Sequence, residues 1–66
     1  MKIEVHFRDQ IIGTGTSRGN EVFWEGEGSN RIKMIAAHYE RQGFKGDVLL
    51  QKMLERLQGM WWAQEI

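Results

Sequence analysis

From Lys2 to Arg8 the chain alternates without a break. Ile3, Val5 and Phe7 fall on one side of an extended backbone, and Lys2, Glu4, His6 and Arg8 fall on the other. A period of two is the signature of a strand with one face buried and one in water, so this segment demands a sheet that is covered on one side only. Asp9-Gln10 offers a turn, and a second strand is expected from Ile11 to about Thr16. Across a two-residue connection Phe7 would face Ile12, Val5 would face Thr14 and Ile3 would face Thr16.

Ser17-Arg18-Gly19-Asn20 is a turn cluster. Glu21 to Glu27 reads as a third strand because Val22, Phe23 and Trp24 favour extended backbone. Of its two registers, the one that buries Val22 and Trp24 leaves Glu21, Phe23 and Glu25 outside, with Phe23 placed to cover the bare backbone of Gly13 and Gly15. The opposite register would bury Glu21 and Glu25 without partners, which is costly. The first register is therefore expected.

Gly26, Gly28, Ser29 and Asn30 break the sheet pattern, and Ser29 or Asn30 suits a helix N-cap. Ile32, Ile35, Ala36 and Tyr39 then recur at helical spacing, and Gly43 sits where a C′ glycine would, so a helix is expected over 30–42. Asp47 suits the next N-cap. Leu50, Met53, Leu54, Leu57 and Trp61 form a second stripe, widened by Leu49 and Met60. The expected fold is α+β, a three-stranded antiparallel meander followed by two helices packed on one face, within one small domain. A two-stranded hairpin with a long loop before the helices is the alternative.

Size limits what this fold can do alone. A domain of 66 residues buries only about 60% of the surface its unfolded chain exposes, and its core rarely supplies more than roughly 3 to 5 kcal/mol. The chain has no Cys, so neither disulfides nor a Cys-built zinc site can staple it, and its two His, His6 and His38, do not complete a metal site. Oligomerisation is the remaining device. No metal or cofactor is expected. No apolar run exceeds four residues, which argues against a membrane span, and the alternating start lacks the apolar stretch of a signal peptide. A cytoplasmic, soluble protein is the expectation.

Gly13-Thr14-Gly15-Thr16-Ser17-Arg18-Gly19 resembles a phosphate cradle only superficially. A P-loop needs Lys-Ser/Thr at a helix start, and a dinucleotide fingerprint lies between a strand and a helix; here another strand follows, so a glycine-bearing hairpin is the better reading. His6 is expected on the solvated strand face beside Glu4, and His38 at the border of the first helix's stripe. With no nucleophile set against a base, a hydrolytic or metal-dependent role for Glu4, His6 and His38 is not favoured, and no enzyme is expected.

Two surfaces remain. Arg31, Lys33, Arg41 and Lys45 give the first helix and its exit a modest basic excess that could meet nucleic acid. The nine basic and nine acidic side chains cancel, however, and a zero net charge argues against a surface dominated by such binding. The three Trp are more telling. Trp61 continues the second stripe, whereas Trp62 is turned about 100° from it if the helix persists. Met34, with Ala37, adds apolar surface to the outer face of the first helix, and Phe44 lies in the link. The expected function is a non-enzymatic protein-interaction module, homodimeric through Trp61, Trp62, Met60, Met34 and Phe44. A small nucleic-acid-binding regulator is the alternative.

Overall fold

The computed structural model describes residues 1–66. In chain order the elements are β1 (Lys2–Phe7), β2 (Gln10–Arg18), β3 (Glu21–Glu25), α1 (Ser29–Glu40), α2 (Gly46–Arg56) and β4 (Trp61–Glu65). The strands form one antiparallel sheet in the order β3-β2-β1-β4. The α+β class and the run of three strands then two helices match the expectation, but βββαα is incomplete. The chain returns after α2 to add a fourth strand beside β1.

That return corrects the expected second helix. α2 stops at Arg56, because Leu57 has already turned to φ −59, ψ 138 and Gly59 takes φ +68, a conformation open to glycine at little cost. Trp61-Trp62-Ala63-Gln64-Glu65 then pairs with β1, setting Phe7 opposite Trp61, His6 opposite Trp62, Val5 opposite Ala63 and Glu4 opposite Gln64. Trp61 satisfied the helical stripe only because a spacing of four from Leu57 fits both a 3.6 and a 2.0 period. The helix ends differ in detail too. Gly28 and Lys45 occupy the N-cap positions, with no side-chain cap. Asp47 sits instead in the first turn of α2, where its carboxylate favours the helix dipole and accepts a hydrogen bond from the Ser17 hydroxyl.

The first hairpin also differs. Phe7 pairs with Gln10, so the turn is Arg8-Asp9, with Arg8 at φ +55. A bulge between Val5 and His6 leaves Ile12 as an extra residue of β2, and this shift exchanges the faces of everything beyond it. Ile3 therefore meets Gly15 and Val5 meets Gly13, not Thr16 and Thr14. The glycines face the helices. A Cβ on Gly15 would lie 2.3 Å from the Trp24 ring, and one on Gly13 would lie 2.9 Å from Ile32 Cδ1. Trp24, not Phe23, covers Gly15, while the expected register of β3 holds, since Val22 and Trp24 pack against the core and Phe23 stays exposed.

The core comprises Ile3, Val5, Ile12, Ile32, Ala36, Tyr39, Leu49, Leu50 and Met53. The sheet and both helices contribute, and each fully buried aliphatic side chain stabilises the fold by about 1.5 to 3 kcal/mol. Both helices lie on this one side. The other face of the sheet has no layer above it, and this asymmetry positions the site.

Candidate functional site

The helix-free face follows from register. β1 contributes Lys2, Glu4 and His6, and β4 contributes Trp62 and Gln64. The bulge in β2 turns Ile11, Thr14 and Thr16 to the same side, and β3 adds Phe23 and Glu25 opposite Thr16 and Thr14. Ile11, Phe23 and Trp62 are all substantially exposed. An uncovered antiparallel sheet face ordinarily alternates to polar residues; this one keeps three large apolar side chains.

Trp62 is held more firmly than its exposure suggests. It is 42% exposed, yet its ring stacks on His6 with centroids 3.8 Å apart and planes 13° from parallel. Its indole N–H donates to the Arg8 carbonyl at 2.7 Å. His6 is fixed in turn, donating from Nε2 to Glu4 Oε1 at 2.8 Å, and Gln64 donates to the same oxygen at 3.0 Å. These two bonds, Gln64's the larger influence and His6's next, hold the Glu4 carboxyl below its usual pKa range, because both stabilise the charged form.

His6 therefore corrects the expectation of a solvated strand residue. Flanked by β2 and β4 and roofed by Trp62, it is only 6% exposed. Its Nδ1 is buried without a hydrogen-bond partner. With Nε2 committed to Glu4 and its ring stacked on the indole, His6 helps to orient Trp62. His38 lies on α1, across the sheet, bonded to Gln42 at 3.2 Å, so Glu4 and His6 meet but His38 does not join them. No three of the chain's His, Asp and Glu side chains gather where a metal ion could be held.

The other expected interface residues are dispersed. Trp61, one position from Trp62, points to the helix side and packs on Phe7 at 5.0 Å. Met60 is exposed and its sulfur lies against the Arg8 side chain, so Met60 and Trp62 converge on Arg8. Met34 stands alone on α1, 77% exposed. Phe44 is half-buried beneath Lys52 and Arg56 at the helix corner. The five expected interface residues thus share no single helical surface: Trp62 lies on the helix-free face with Met60 beside it at Arg8, and Trp61, Met34 and Phe44 face elsewhere. Thr14 and Thr16 join Ile11 on the helix-free face, and only the bulge, which leaves no mark in composition, puts those two there.

The four basic residues also separate. The Arg31 guanidinium lies over Phe7 and Trp61, 5.1 Å from the Trp61 ring. Lys33 is exposed on α1, Arg41 caps the end of α1, and Lys45 caps the start of α2. No helix is long and apolar enough to cross a membrane. No family model, curated protein or solved structure matches this chain.

Proposed function

We propose that this chain is a protein-interaction module that self-associates, two copies meeting through the helix-free sheet face with Trp62 as the anchor. The observation that carries the reading is a rigidly held, half-exposed Trp on a face no helix covers. Binding anchors are enriched in Trp, and a side chain already fixed loses little entropy on docking.

A second copy is the occupant that charge favours. The net charge is zero, so nothing repels an identical chain at long range. An isologous contact needs each residue to meet its complement in reverse, and Lys2 and Glu4 stand two residues apart on the same face of β1. Antiparallel stacking of two β1 strands sets the Lys2 of each copy over the Glu4 of the other. Lys2 forms no ion pair within the chain, and Glu4, which accepts from His6 and Gln64 through Oε1, keeps Oε2 free for such a contact.

Area limits the affinity. Four strands about 4.8 Å apart, each contributing about five residues at ~3.3 Å, make a face of roughly 19 by 17 Å, smaller than the ~800 Å² per partner of a standard interface. A weak, concentration-dependent dimer with Kd of about 10 to 100 μM is expected. Sedimentation equilibrium over a wide concentration range tests it, with Thr14→Lys as the interface variant. Thr14 lies between Glu4 and Glu25, so the monomer accepts the new charge, whereas a dimer would have to bury it. Association weakened at least about tenfold, or 1.4 kcal/mol, is the expected result. A chain that stays monomeric throughout, or a dimer indifferent to Thr14→Lys, overturns the reading.

A further inference from the structure

On the opposite side of the molecule a cleft of about 320 Å³ opens between α1, the end of α2 and the start of β4. Its apolar lining comes from Ile35, Leu57 and Trp61, its polar groups include Tyr39 and Arg56, and no carboxylate lines it. This volume lies at the small end of ligand pockets, where an apolar floor with a few convergent polar groups is the usual construction.

Two observations give the cleft a chemical preference. Arg56 forms no ion pair; its guanidinium rests 5.6 Å from the Phe44 ring centroid, a contact that leaves its N–H donors uncommitted. Tyr39 is only 8% exposed, yet its hydroxyl makes no hydrogen bond to any protein group. That hydroxyl reaches solvent, so it is free to bond to a group placed in the space it lines. Arg31, also unpaired, places a second cation 5.1 Å over the Trp61 ring that forms part of the same lining. The partial negative charge at the C-terminus of α2, about half an elementary charge, is outweighed by the full positive charge of Arg56, the cation that lines the cleft.

We propose that this cleft binds a small organic carboxylate. Its apolar body, a flat ring or short branched chain, lies on Trp61 and Leu57, and its carboxylate meets the Arg56 guanidinium and the Tyr39 hydroxyl. Arginine suits this role because its planar fork matches a carboxylate. The site shares no residue with the helix-free face, so the proposal stands independently of self-association.

The test is an NMR titration of the ¹⁵N-labelled chain with 3-phenylpropionate, and with 3-phenylpropionamide as an uncharged probe of the same size. For so few atoms a dissociation constant of about 1 to 5 mM is expected. The carboxylate should shift the Tyr39 and Leu57 amides and the Trp61 indole N–H saturably, leaving Thr14 and Trp62 in place. The amide probe should bind at least about fivefold more weakly, and Arg56→Gln, an exposed substitution at the helix end, should weaken the carboxylate by a similar factor. Equal binding of the two probes, indifference to Arg56→Gln, or no saturable shift at these residues would each overturn the proposal. Shifts confined to Thr14 and Trp62 on dilution, without ligand, report self-association and are read separately.

Discussion

Trp61 and Trp62 are neighbours in the chain and belong to different sides of the protein. Trp61 lies under the helices, tilted against Phe7 at 5.0 Å and topped by Arg31; Trp62 lies on the bare face, stacked on His6 and bonded to the Arg8 carbonyl. The difference shows two ways of holding a ring still. On the covered face volume does it, since Gly15 yields the space Trp24 occupies and Gly13 admits Ile32. On the open face nothing presses from above, and order comes from the bonds of Gln64 and His6 to Glu4, the stack of His6 on Trp62 and the Trp62 bond to the Arg8 carbonyl. A face ordered in this way stays rigid while still wet, as a docking surface requires.

The sharpest break of that comparison comes from Gly15. Gly15→Val would drive side-chain atoms into the Trp24 ring, and overpacking costs about 1 to 3 kcal/mol, occasionally more. Against a total of roughly 3 to 5 kcal/mol this is a large share, and the urea midpoint of the variant should fall steeply. Thr16→Val, one residue away on the open face, should change stability by no more than about 0.5 kcal/mol. If both variants melt alike, the covered face is not the one ordered by packing.

The two tryptophans supply the next comparison. Trp61→Ala removes a half-buried ring from the edge of the core and should cost about 2 to 4 kcal/mol. Trp62→Ala forfeits a stack and one hydrogen bond, about 1 to 2 kcal/mol together. Urea midpoints of the two variants should therefore rank in that order, and the reverse ranking would mean that the open face carries the fold. Smaller again is Gly59→Ala, which forces a Cβ onto φ +68 at a cost of about 1 kcal/mol, and which checks that the turn into β4 depends on that glycine.

How far these features could be read beforehand depends on whether a local pattern or a distant partner fixes them. The alternation of Lys2 to Arg8 announces its own faces, and the register of Val22 and Trp24 follows from the cost of burying Glu21 and Glu25. Ile32, Ala36 and Tyr39 declare the inner side of α1 by spacing alone, and all three are buried. The bulge at Ile12 is different, because it depends on how β2 meets β1 rather than on its own composition. With it came the burial of the glycines and the placing of Thr14 and Thr16 on the open face. The end of α2 was legible in part. Gly59 followed by two strongly β-favouring Trp is a stop signal, but the commensurate spacing of Leu57 and Trp61 masked it. Without β4, nothing could indicate that His6 would be roofed by Trp62.

The smallest effect expected is also the most specific to the open face. Glu4→Gln keeps the shape of the side chain and an oxygen to accept from His6 and Gln64, and removes only the charge. Those two donors lower the Glu4 pKa from its ordinary 4.5, so the folded state binds this proton less readily than the unfolded chain does. By linkage, the stabilisation from the charged carboxylate is fully present above the ordinary value, and it fades as pH falls through the lowered one. Urea midpoints of the parent chain and Glu4→Gln should therefore differ most near neutrality and converge on acidification below the ordinary value. The difference will be modest, since Glu4 lies on a solvent-facing sheet where water and salt screen its charge. A gap that stays constant through the acid range would show that His6 and Gln64 bind the shape of this side chain and not its charge.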